Sequence, residues 1–324
     1  MTAPQFDVLT MGRVSVDLYP EQSGVPLAEV RTFAKSLGGS PTNVAVAAAR
    51  LGRQAAVITQ VGMDGFGPYV RSALRGFGVD DRFVGTDPEL RTPVVFCELH
   101  PPDHFPLLFY RQPTAPDIQL RLDELDLEAI QRARIFWTTG TGLSDEPSRT
   151  ATLGALEARA RHGITVHDLD FRRSLWPEPD TAGAYQRCAL KLATVAIGNL
   201  EEASVAVGDA APELVARRLL NLGPELAIVK LGEQGVVVAW DGEIARVGSV
   251  AVEVVNGLGA GDAFGGAVCH GLLAGWDPVR VVRFAAAAGA FVAGRLACAD
   301  AMPTETEVLG LLKTAERPLA ERSS

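Results

Sequence analysis

Short runs of β-branched and other apolar residues alternate with Ala- and Leu-rich stretches along most of the sequence. The run at 55–61 is followed by a helix-like stretch at 66–77, and the run at 135–139 by another at 148–162. The series also includes apolar runs at 6–11, 165–168, 195–198 and 227–231. Strands separated by helices of about 10–15 residues imply βαβ units. The pattern therefore predicts an α/β fold, with a central, mainly parallel sheet flanked by helices.

Two stretches interrupt this alternation. Residues 14–35 show no clear helical period, and residues 94–110 read as two strands, 94–99 and 107–110, around a Pro-rich turn at 101–106. A hairpin within a βαβ series does not easily join the parallel sheet. We therefore expect it to project from the sheet and, with the first stretch, to form a small β-sheet lid. A lid that excludes water suits phosphoryl transfer, and a hairpin without a function is the alternative.

Composition limits the classes of partner. The chain has 324 residues, enough for one large domain or two small ones, and a formal net charge of −9. That charge argues against a nucleic-acid or membrane partner. The four cysteines form no CxxC pair, so buried free thiols in a reducing compartment are expected. The sequence shows no secretory signal and no apolar stretch of about 18 residues, and the expected location is the cytoplasm.

A Gly-rich sequence, NGLGAGDAFGG at 256–266, carries the strongest chemical signal. It leads into an apolar stretch at 263–274 that reads as a helix, whose N-terminus and preceding backbone N–H groups favour an anion. Asp262 lies in the first turn, where the helix dipole should keep it ionised. An anion hole and a carboxylate in one turn suit phosphoryl transfer, with Asp262 accepting the proton of the acceptor hydroxyl. The alternative is a tight turn with an Asp helix cap.

Two further groups of residues could bind a polyol. Gly38 and Gly39 permit close approach of a ligand to the backbone, and Asn43 follows in the first turn of a predicted helix. Asp17 follows the first strand, and strand carboxyl ends form the ligand crevice of an open α/β sheet. An ordinary loop with a helix cap and a solvated Asp are the alternatives.

Other polar groups follow later strands. Asn199 and Glu202 could hold Mg²⁺ through its waters, or could simply cap a helix. Lys230, with Gly232 and Gly235 behind it, could approach a nucleotide, or these residues could form a β-turn between hairpin strands.

With these residues in view, the sequence resembles the ribokinase/PfkB family of carbohydrate kinases. The matching segments are GGSPTN at 38–43, NLEE at 199–202 and GAGD at 259–262. Their order and spacing agree over roughly residues 6–315. The resemblance implies a ribokinase-like fold in one domain, 1–318, with lid segments at about 14–36 and 92–112 and a flexible tail at 319–324. It also implies the use of ATP and Mg²⁺.

The resemblance assigns roles to individual residues. It implies that Asp262 is the base and that the anion hole consists of Gly259, Ala260 and Gly261. It implies sugar contacts for Asp17, Gly38, Gly39 and Asn43. The nucleotide side would include Lys230, Gly232, Gly235, Gly259 and Gly261, with Mg²⁺ near Asn199 and Glu202.

One departure from the family pattern narrows the resemblance. Most members have Asp-Thr where this sequence has Asn256-Gly257. That segment contributes to a monovalent cation site in the wider family, so K⁺ activation is in doubt here. The Asn variant is similar to the 5-dehydro-2-deoxygluconokinases of myo-inositol catabolism, as are the segments 11–20, 105–111 and 298–304. This likeness implies phosphorylation of a sugar acid to its 6-phosphate.

Capturing the carboxylate of such a substrate calls for a guanidinium, which presents paired donors to both oxygens. Tyr110 and Arg111 are the candidates on the lid, and Arg172 is the candidate on the sheet. The 2-dehydro-3-deoxygluconate kinases also carry a Tyr-Arg pair in the lid, but a second Tyr precedes it where Phe109 stands here.

Several alternatives remain open from the sequence. They are a 2-dehydro-3-deoxygluconate kinase, a kinase of the ribokinase or fructokinase type, and a non-catalytic sugar-binding regulator on the same fold. A dinucleotide-dependent oxidoreductase is disfavoured because the first strand ends with a single glycine, Gly12, instead of GxGxxG. A homodimer formed through an apolar outer face of the lid is a further expectation.

Overall fold

The computed structural model describes residues 6–315. Its strands are β1 (Val8–Met11), β2 (Ser15–Pro20), β3 (Phe33–Gly38), β4 (Ala55–Gly62), β5 (Val79–Asp80), β6 (Val84–Asp87), β7 (Val94–Cys97), β8 (Leu107–Tyr110), β9 (Ile135–Thr139), β10 (Ile164–Asp168), β11 (Val195–Asn199), β12 (Leu226–Lys230), β13 (Val236–Trp240) and β14 (Glu243–Val247). Its helices are α1 (Ser40–Arg50), α2 (Phe66–Gly76), α3 (Leu127–Arg132), α4 (Ser148–Arg159), α5 (Pro179–Leu192), α6 (Leu200–Val207), α7 (Pro212–Leu220), α8 (Ala260–Leu273), α9 (Pro278–Ala293) and α10 (Glu305–Ala315).

The large sheet has the strand order β14-β13-β12-β11-β10-β9-β1-β4-β5, with β6 also paired to β4. From β12 to β5 all neighbours are parallel, whereas β13 and β14 add an antiparallel edge. All five residues of β9 are buried, as expected for a strand covered on both faces. The predicted central, mainly parallel sheet is confirmed. The antiparallel edge is an addition, since its strands follow β12 without an intervening helix.

Helices cover both faces of this sheet. Helices α1, α8 and α9 share one apolar core with the strands, and α3, α4 and α5 share another. The close approach of α1 and α8 requires glycine at position 266, because a Cβ there would lie only 2.3 Å from the Cβ of Ala47. A Cβ at Gly265 would likewise lie 2.7 Å from the ring of Trp137. These two glycines thus fix the N-terminus of α8 beside that of α1, where the candidate site lies.

A second, four-stranded sheet has the order β3-β2-β7-β8, and we call it the lid sheet. Its β2–β3 and β7–β8 pairs are antiparallel, and β2–β7 is parallel. Its strands lie in the two stretches that interrupt the sequence pattern. The inner face contains Asp17, Tyr19, Val95, Cys97 and Phe109, and the outer face contains Leu18, Phe96, Leu108 and Tyr110.

The cysteines and the chain ends complete the comparison with expectation. All four cysteines are free, as predicted, but Cys188 is exposed while the other three are buried. Residues 6–315 contain no helix long and apolar enough to cross a membrane. The predicted flexible tail at 319–324 lies outside the described residues.

Candidate active site

The candidate site lies where the carboxyl ends of the central parallel strands meet the start of α8. Gly259 is the N-cap of α8 and adopts a left-handed backbone conformation with φ of 79°. Asp262 is the third residue of the helix, and its side chain is partly buried. The sequence therefore predicted this helix start correctly to within three residues, and α8 begins at Ala260.

Asp262 is held by the first turn of α1. The side-chain amide of Asn43 donates to Asp262 Oδ2 at 2.8 Å. Burial raises the pKa of Asp262 above its ordinary value, while the hydrogen bonds from Asn43 and Ser40 act to lower it. The prediction that Asp262 stays ionised took account only of the helix dipole. Burial acts in the opposite direction and disfavours the charged form of Asp262. A carboxylate whose pKa is moved toward neutrality is better matched to general-base work.

Backbone and one ammonium group form an electropositive region beside Asp262. Gly259, Ala260 and Gly261 open α8, whose N-terminal N–H groups have no partner within the helix. A Cβ built on Gly261 would lie 3.3 Å from Lys230 Nζ, so that ammonium group adjoins the helix start. Burial acts to lower the pKa of Lys230, but Asp168, Glu202 and Asp262 raise it above its ordinary value. The arrangement can bind a phosphate group.

Asp17 lies on the inner face of the lid sheet. Ser15 Oγ donates to Asp17 Oδ1 at 2.6 Å, and Tyr19 OH donates to Asp17 Oδ2 at 3.2 Å. A Cβ at Gly38 would lie 2.0 Å from Asp17 Oδ1, so only glycine leaves room for this carboxylate. Burial raises the pKa of Asp17 to about 6. Asp262 also acts on that pKa, which indicates that the two carboxylates lie within electrostatic range of each other.

Asn43 offers a second polar atom to a ligand. Its Oδ1 is buried and has no hydrogen-bond partner among the described residues. Buried acceptors are almost always satisfied, so this atom is the expected partner of a ligand hydroxyl. Gly39, which precedes α1, has a φ of 96°, and a Cβ there would lie 2.4 Å from the Arg13 carbonyl oxygen. The glycine pair thus serves the packing of this loop around Asp17 and Arg13.

The titration of Asp17 leads to a prediction for the pH dependence of sugar binding. The role predicted for Asp17, accepting hydrogen bonds from a polyol, requires its ionised form, so kcat/KM should fall as the pH drops through about 6. Tyr19→Phe removes a hydrogen bond that lowers this pKa, so it should move the acid limb of the profile to higher pH. Profiles of kcat/KM for both proteins check this. Tyr185→Phe, whose hydroxyl contacts Arg149 instead, should leave the limb in place, and a shift there would contradict the assignment.

A cluster of charged side chains extends from Asp262 along the strand ends. Burial raises the pKa of Asp168 to about 8, against the lowering effect of Lys230. Arg172 forms ion pairs with Asp170 at 3.1 Å and with Glu202 at 3.8 Å. Of the residues in this cluster between 167 and 173, the sequence analysis assigned a role only to Arg172. The cluster contains several acids, whose negative charge Arg172 and Lys230 offset.

Asn199 and Glu202 form a capping box at the start of α6. Asn199 Oδ1 accepts from Glu202 N, and Glu202 Oε2 accepts from Asn199 N, both at 2.8 Å. The helix cap, which was the alternative to a Mg²⁺-binding role for these two residues, is therefore present. It leaves Glu202 Oε1 directed toward Arg172. Gly232 and Gly235 lie in the turn between β12 and antiparallel β13. The β-turn between hairpin strands, which was the alternative to a nucleotide-binding role, is therefore present.

The two lid candidates for substrate recognition lie apart. Tyr110 is on the outer face, 62% exposed and packed edge-on against Phe96, so the structure does not bring it to Asp17. Arg111 is buried, and both of its terminal nitrogens donate to the carboxylate of Asp117. Tyr110 is the last residue of β8, whereas Arg111 lies just beyond the strand, where its side chain reaches Asp117.

Some residues of the site escaped the sequence reading. Ser15 and Tyr19 flank Asp17 at a spacing of two, so strand periodicity would have placed all three on one face. Arg13 and Thr141 follow β1 and β9, and their contact depends on strand order, which the sequence pattern does not specify.

A carboxylate beside an electropositive helix start, with further buried polar groups nearby, is the arrangement expected of a phosphotransferase that acts on an alcohol. The sequence matches the description "pfkB family carbohydrate kinase" over residues 5–305. The chain belongs to the pfkB family of carbohydrate kinases, and the predicted family and enzyme class are confirmed.

Relatives and solved structures extend over nearly the whole chain. It is 34% identical over 321 residues to the 5-dehydro-2-deoxygluconokinase of Photobacterium profundum, covering 97% of this chain and 96% of the relative. It is 31% identical over 324 residues to that of Clostridium perfringens, covering 98% and 96%. The crystal structure of fructokinase with bound ATP from Xylella fastidiosa superposes with a TM-score of 0.84 at 26% identity, covering 96% of this chain and 99% of that one. The ribokinase-like fold is thereby confirmed.

Proposed function

We propose that the protein transfers the γ-phosphoryl group of ATP to a hydroxyl of a sugar acid. The proposed substrate is 5-dehydro-2-deoxy-D-gluconate, and the product is its 6-phosphate, an intermediate of myo-inositol catabolism. The observation that carries the proposal is the Asn43-bound carboxylate of Asp262 at the start of α8. The relatives that bear the name 5-dehydro-2-deoxygluconokinase support the choice of substrate, and the ATP-bound fructokinase supports the choice of nucleotide.

In the proposed reaction, Asp262 accepts the proton of the acceptor hydroxyl as that oxygen attacks the γ-phosphorus. The bond between the γ-phosphorus and the bridging oxygen breaks, and ADP leaves with the electron pair. The N–H groups at Gly259, Ala260 and Gly261 and the ammonium group of Lys230 stabilise negative charge on the phosphoryl oxygens. Asp17 and Asn43 Oδ1 orient the sugar by accepting from its hydroxyls.

Mg²⁺ fits this site as a companion of the nucleotide. Residues 6–315 contain no group of three or more His, Cys, Asp or Glu side chains that could hold a metal alone. Mg²⁺ commonly keeps several waters and takes its other ligands from phosphates and one or two carboxylates. Glu202 Oε1, which the capping box leaves free, would accept from one of those waters. The bound ion would neutralise phosphate charge.

Glu202→Gln should raise the Mg²⁺ concentration needed for half-maximal rate, by about 3–10-fold, because a carboxylate contact to a metal-bound water is lost. The Mg²⁺ titration at fixed ATP checks this. Glu201→Gln, one residue earlier on the exposed side of α6, is the matched control. Identical titrations for parent and Glu202→Gln would leave the pair as a helix cap only.

K⁺ does not fit the corresponding loop. Asn256 is buried, its Oδ1 accepts from Leu258 N at 3.0 Å, and its Nδ2 donates to the Leu296 carbonyl at 2.6 Å. Each polar atom of the side chain already makes one hydrogen bond to the backbone, and the amide carries no charge to balance a cation. The proposed reaction therefore runs equally well when K⁺ is replaced by tetramethylammonium.

A panel assay tests the proposed function. A coupled assay of ADP release compares 5-dehydro-2-deoxy-D-gluconate with 2-dehydro-3-deoxygluconate, fructose and ribose. The proposal requires the highest kcat/KM for the first compound. A preference for 2-dehydro-3-deoxygluconate would transfer the assignment to that sugar acid, and a preference for a neutral sugar would overturn it.

The lid sheet also supports a proposal for assembly. Its outer face carries Leu108, 47% exposed, and Tyr110, 62% exposed, beside a row of packed aromatic rings that includes Phe33 and Phe96. An apolar sheet face of this kind fits a second copy of itself in a homodimer. Sedimentation velocity of the parent and of Leu108→Glu tests it, since the charge should release monomers.

A further inference from the structure

Arg13 is a buried arginine beside the sugar-binding side of the site, and the proposed reaction has so far given it no role. It lies just beyond the end of β1 and is only 5% exposed. Its Nε donates to Thr141 Oγ1 at 2.9 Å, and its Nη2 donates to Asp170 Oδ2 at 3.0 Å. Strands β1, β9 and β10 are neighbours, so their carboxyl ends bring Arg13, Thr141 and Asp170 together.

The guanidinium of Arg13 retains donors that the protein does not use. Its Nη1 donates to no atom in residues 6–315, yet it is not among the polar atoms sealed from solvent without a partner. A guanidinium has five N–H donors, and the bonds to Thr141 and Asp170 occupy only two of them. Nη1 of Arg13 therefore keeps donors that a ligand could use.

The Arg13 guanidinium lies among other charged groups of the site. Arg13 acts to lower the pKa of Asp17, so its positive charge lies close to the sugar-binding carboxylate. Asp170, its ion-pair partner, acts on Asp262 from the other side. Arg13 belongs to the connection 12–14 between β1 of the large sheet and β2 of the lid sheet, and Asp17 lies on β2.

A second guanidinium shares the same acid. Arg172 pairs with Asp170 Oδ1 at 3.1 Å, and its side chain is 41% exposed. The guanidinium of Arg172 makes no hydrogen bond of normal geometry within the described part of the chain, and Asp170 Oδ1 accepts none there either. With Glu202, which lies 3.8 Å from Arg172, the two arginines and two acids are neutral overall, and a substrate carboxylate would take the donors that Arg13 and Arg172 leave unused.

We infer that Arg13, held by Asp170 and Thr141, binds the carboxylate of the substrate together with Arg172 and so determines the preference for an acid. The inference rests on the proposed function and names the residue that gives it its specificity. Arg111, the lid candidate, has both terminal nitrogens bonded to Asp117, whereas Arg13 has one terminal nitrogen free. A planar guanidinium with a free edge suits a carboxylate better than an ammonium group does.

The test compares two ligands of nearly the same shape, one charged and one neutral: 5-dehydro-2-deoxy-D-gluconate and its C1 carboxamide. For Arg13→Gln, kcat/KM for the acid should fall about 10–100-fold, the scale of a charge-assisted hydrogen bond left unmade, and that for the carboxamide should change less than about 3-fold. Arg13→Lys keeps the charge without the paired donors and should show an intermediate loss on the acid. It also keeps the test available if Arg13→Gln does not fold.

A buried arginine far from the site provides the control. Arg159 is 1% exposed and donates to the carbonyl oxygens of Ile130 and Gln131. Arg159→Gln should lower the thermal midpoint without changing the ratio of kcat/KM for acid and carboxamide. Equal losses on both ligands for the Arg13 variants, or a rise confined to KM for ATP, would overturn the inference and assign Arg13 to loop structure or to the phosphoryl group. A parent enzyme without preference for the acid would refute the proposed function itself, and the inference with it.

Discussion

Asp262→Asn should reduce kcat by about 10²–10⁴, the usual range for loss of a general base. The carboxamide is nearly isosteric and cannot accept the proton of the acceptor hydroxyl. Asn43 donates to the Oδ2 position of Asp262, so an amide rotated to present its oxygen there keeps that contact. Steady-state kcat and the dissociation constant of the sugar acid, measured by calorimetry without ATP, check the prediction together, because binding should stay within about 5-fold.

The alternative of a helix cap predicts a different outcome. Gly259, not Asp262, is the N-cap of α8, and no side chain caps that helix end. Asp277 is a true cap, accepting from Arg280 N at 3.0 Å at the start of α9. Asp277→Ala should therefore lower stability by about 1 kcal/mol and leave kcat unchanged. If Asp262→Asn behaved in the same way, Asp262 would have no part in the chemistry.

Most of the fold was accessible from the sequence because buried parallel strands leave a strong local signal. The run at 135–139 is β9 to the residue, and the run at 107–110 is β8. The stretch at 14–35 was harder, because a segment with no regular element except a 3₁₀ turn separates β2 from β3. Their pairing depends on contacts with each other and with β7, which local periodicity does not report.

In the candidate site, too, local features were predictable from the sequence and long-range contacts were not. The glycine and aspartate of the α8 start were predictable, since a Gly-rich helix start with an acid has few structural explanations. The environment of each charge was not, because it depends on which strand ends are neighbours. Arg13 meets Asp170 across 157 residues of sequence, and Arg111 is bonded to Asp117, which no spacing rule would have revealed. The roles of the individual residues therefore remain predictions that the variants above can decide.

Gly259→Ala should lower kcat by about 10²–10³, the scale of losing one preorganised donor to a developing charge. Gly259 has a φ of 79°, and a Cβ there would lie 2.6 Å from Cys298 Sγ and 2.7 Å from Cys298 Cβ. The loop must therefore shift, and the first N–H groups of α8 shift with it. Because the sugar contacts of Asp17 and Asn43 belong to other elements, we expect kcat to fall more than KM for the sugar rises.

Backbone strain and the clash can be separated with Gly275→Ala. Gly275 has a φ of 69°, and nothing lies within 4 Å of a Cβ at that position. That variant should lose about 1–2 kcal/mol of stability from the left-handed backbone alone and keep its kcat. Adding Cys298→Gly to Gly259→Ala removes the two closest atoms, so it should restore part of kcat relative to Cys298→Gly alone. That single-variant reference is needed because Cys298 Sγ also contacts the Tyr19 hydroxyl at 2.6 Å, and through it Asp17. A kcat for Gly259→Ala within about 3-fold of the parent would mean that the N–H groups at this helix start do not stabilise the transferring phosphoryl group.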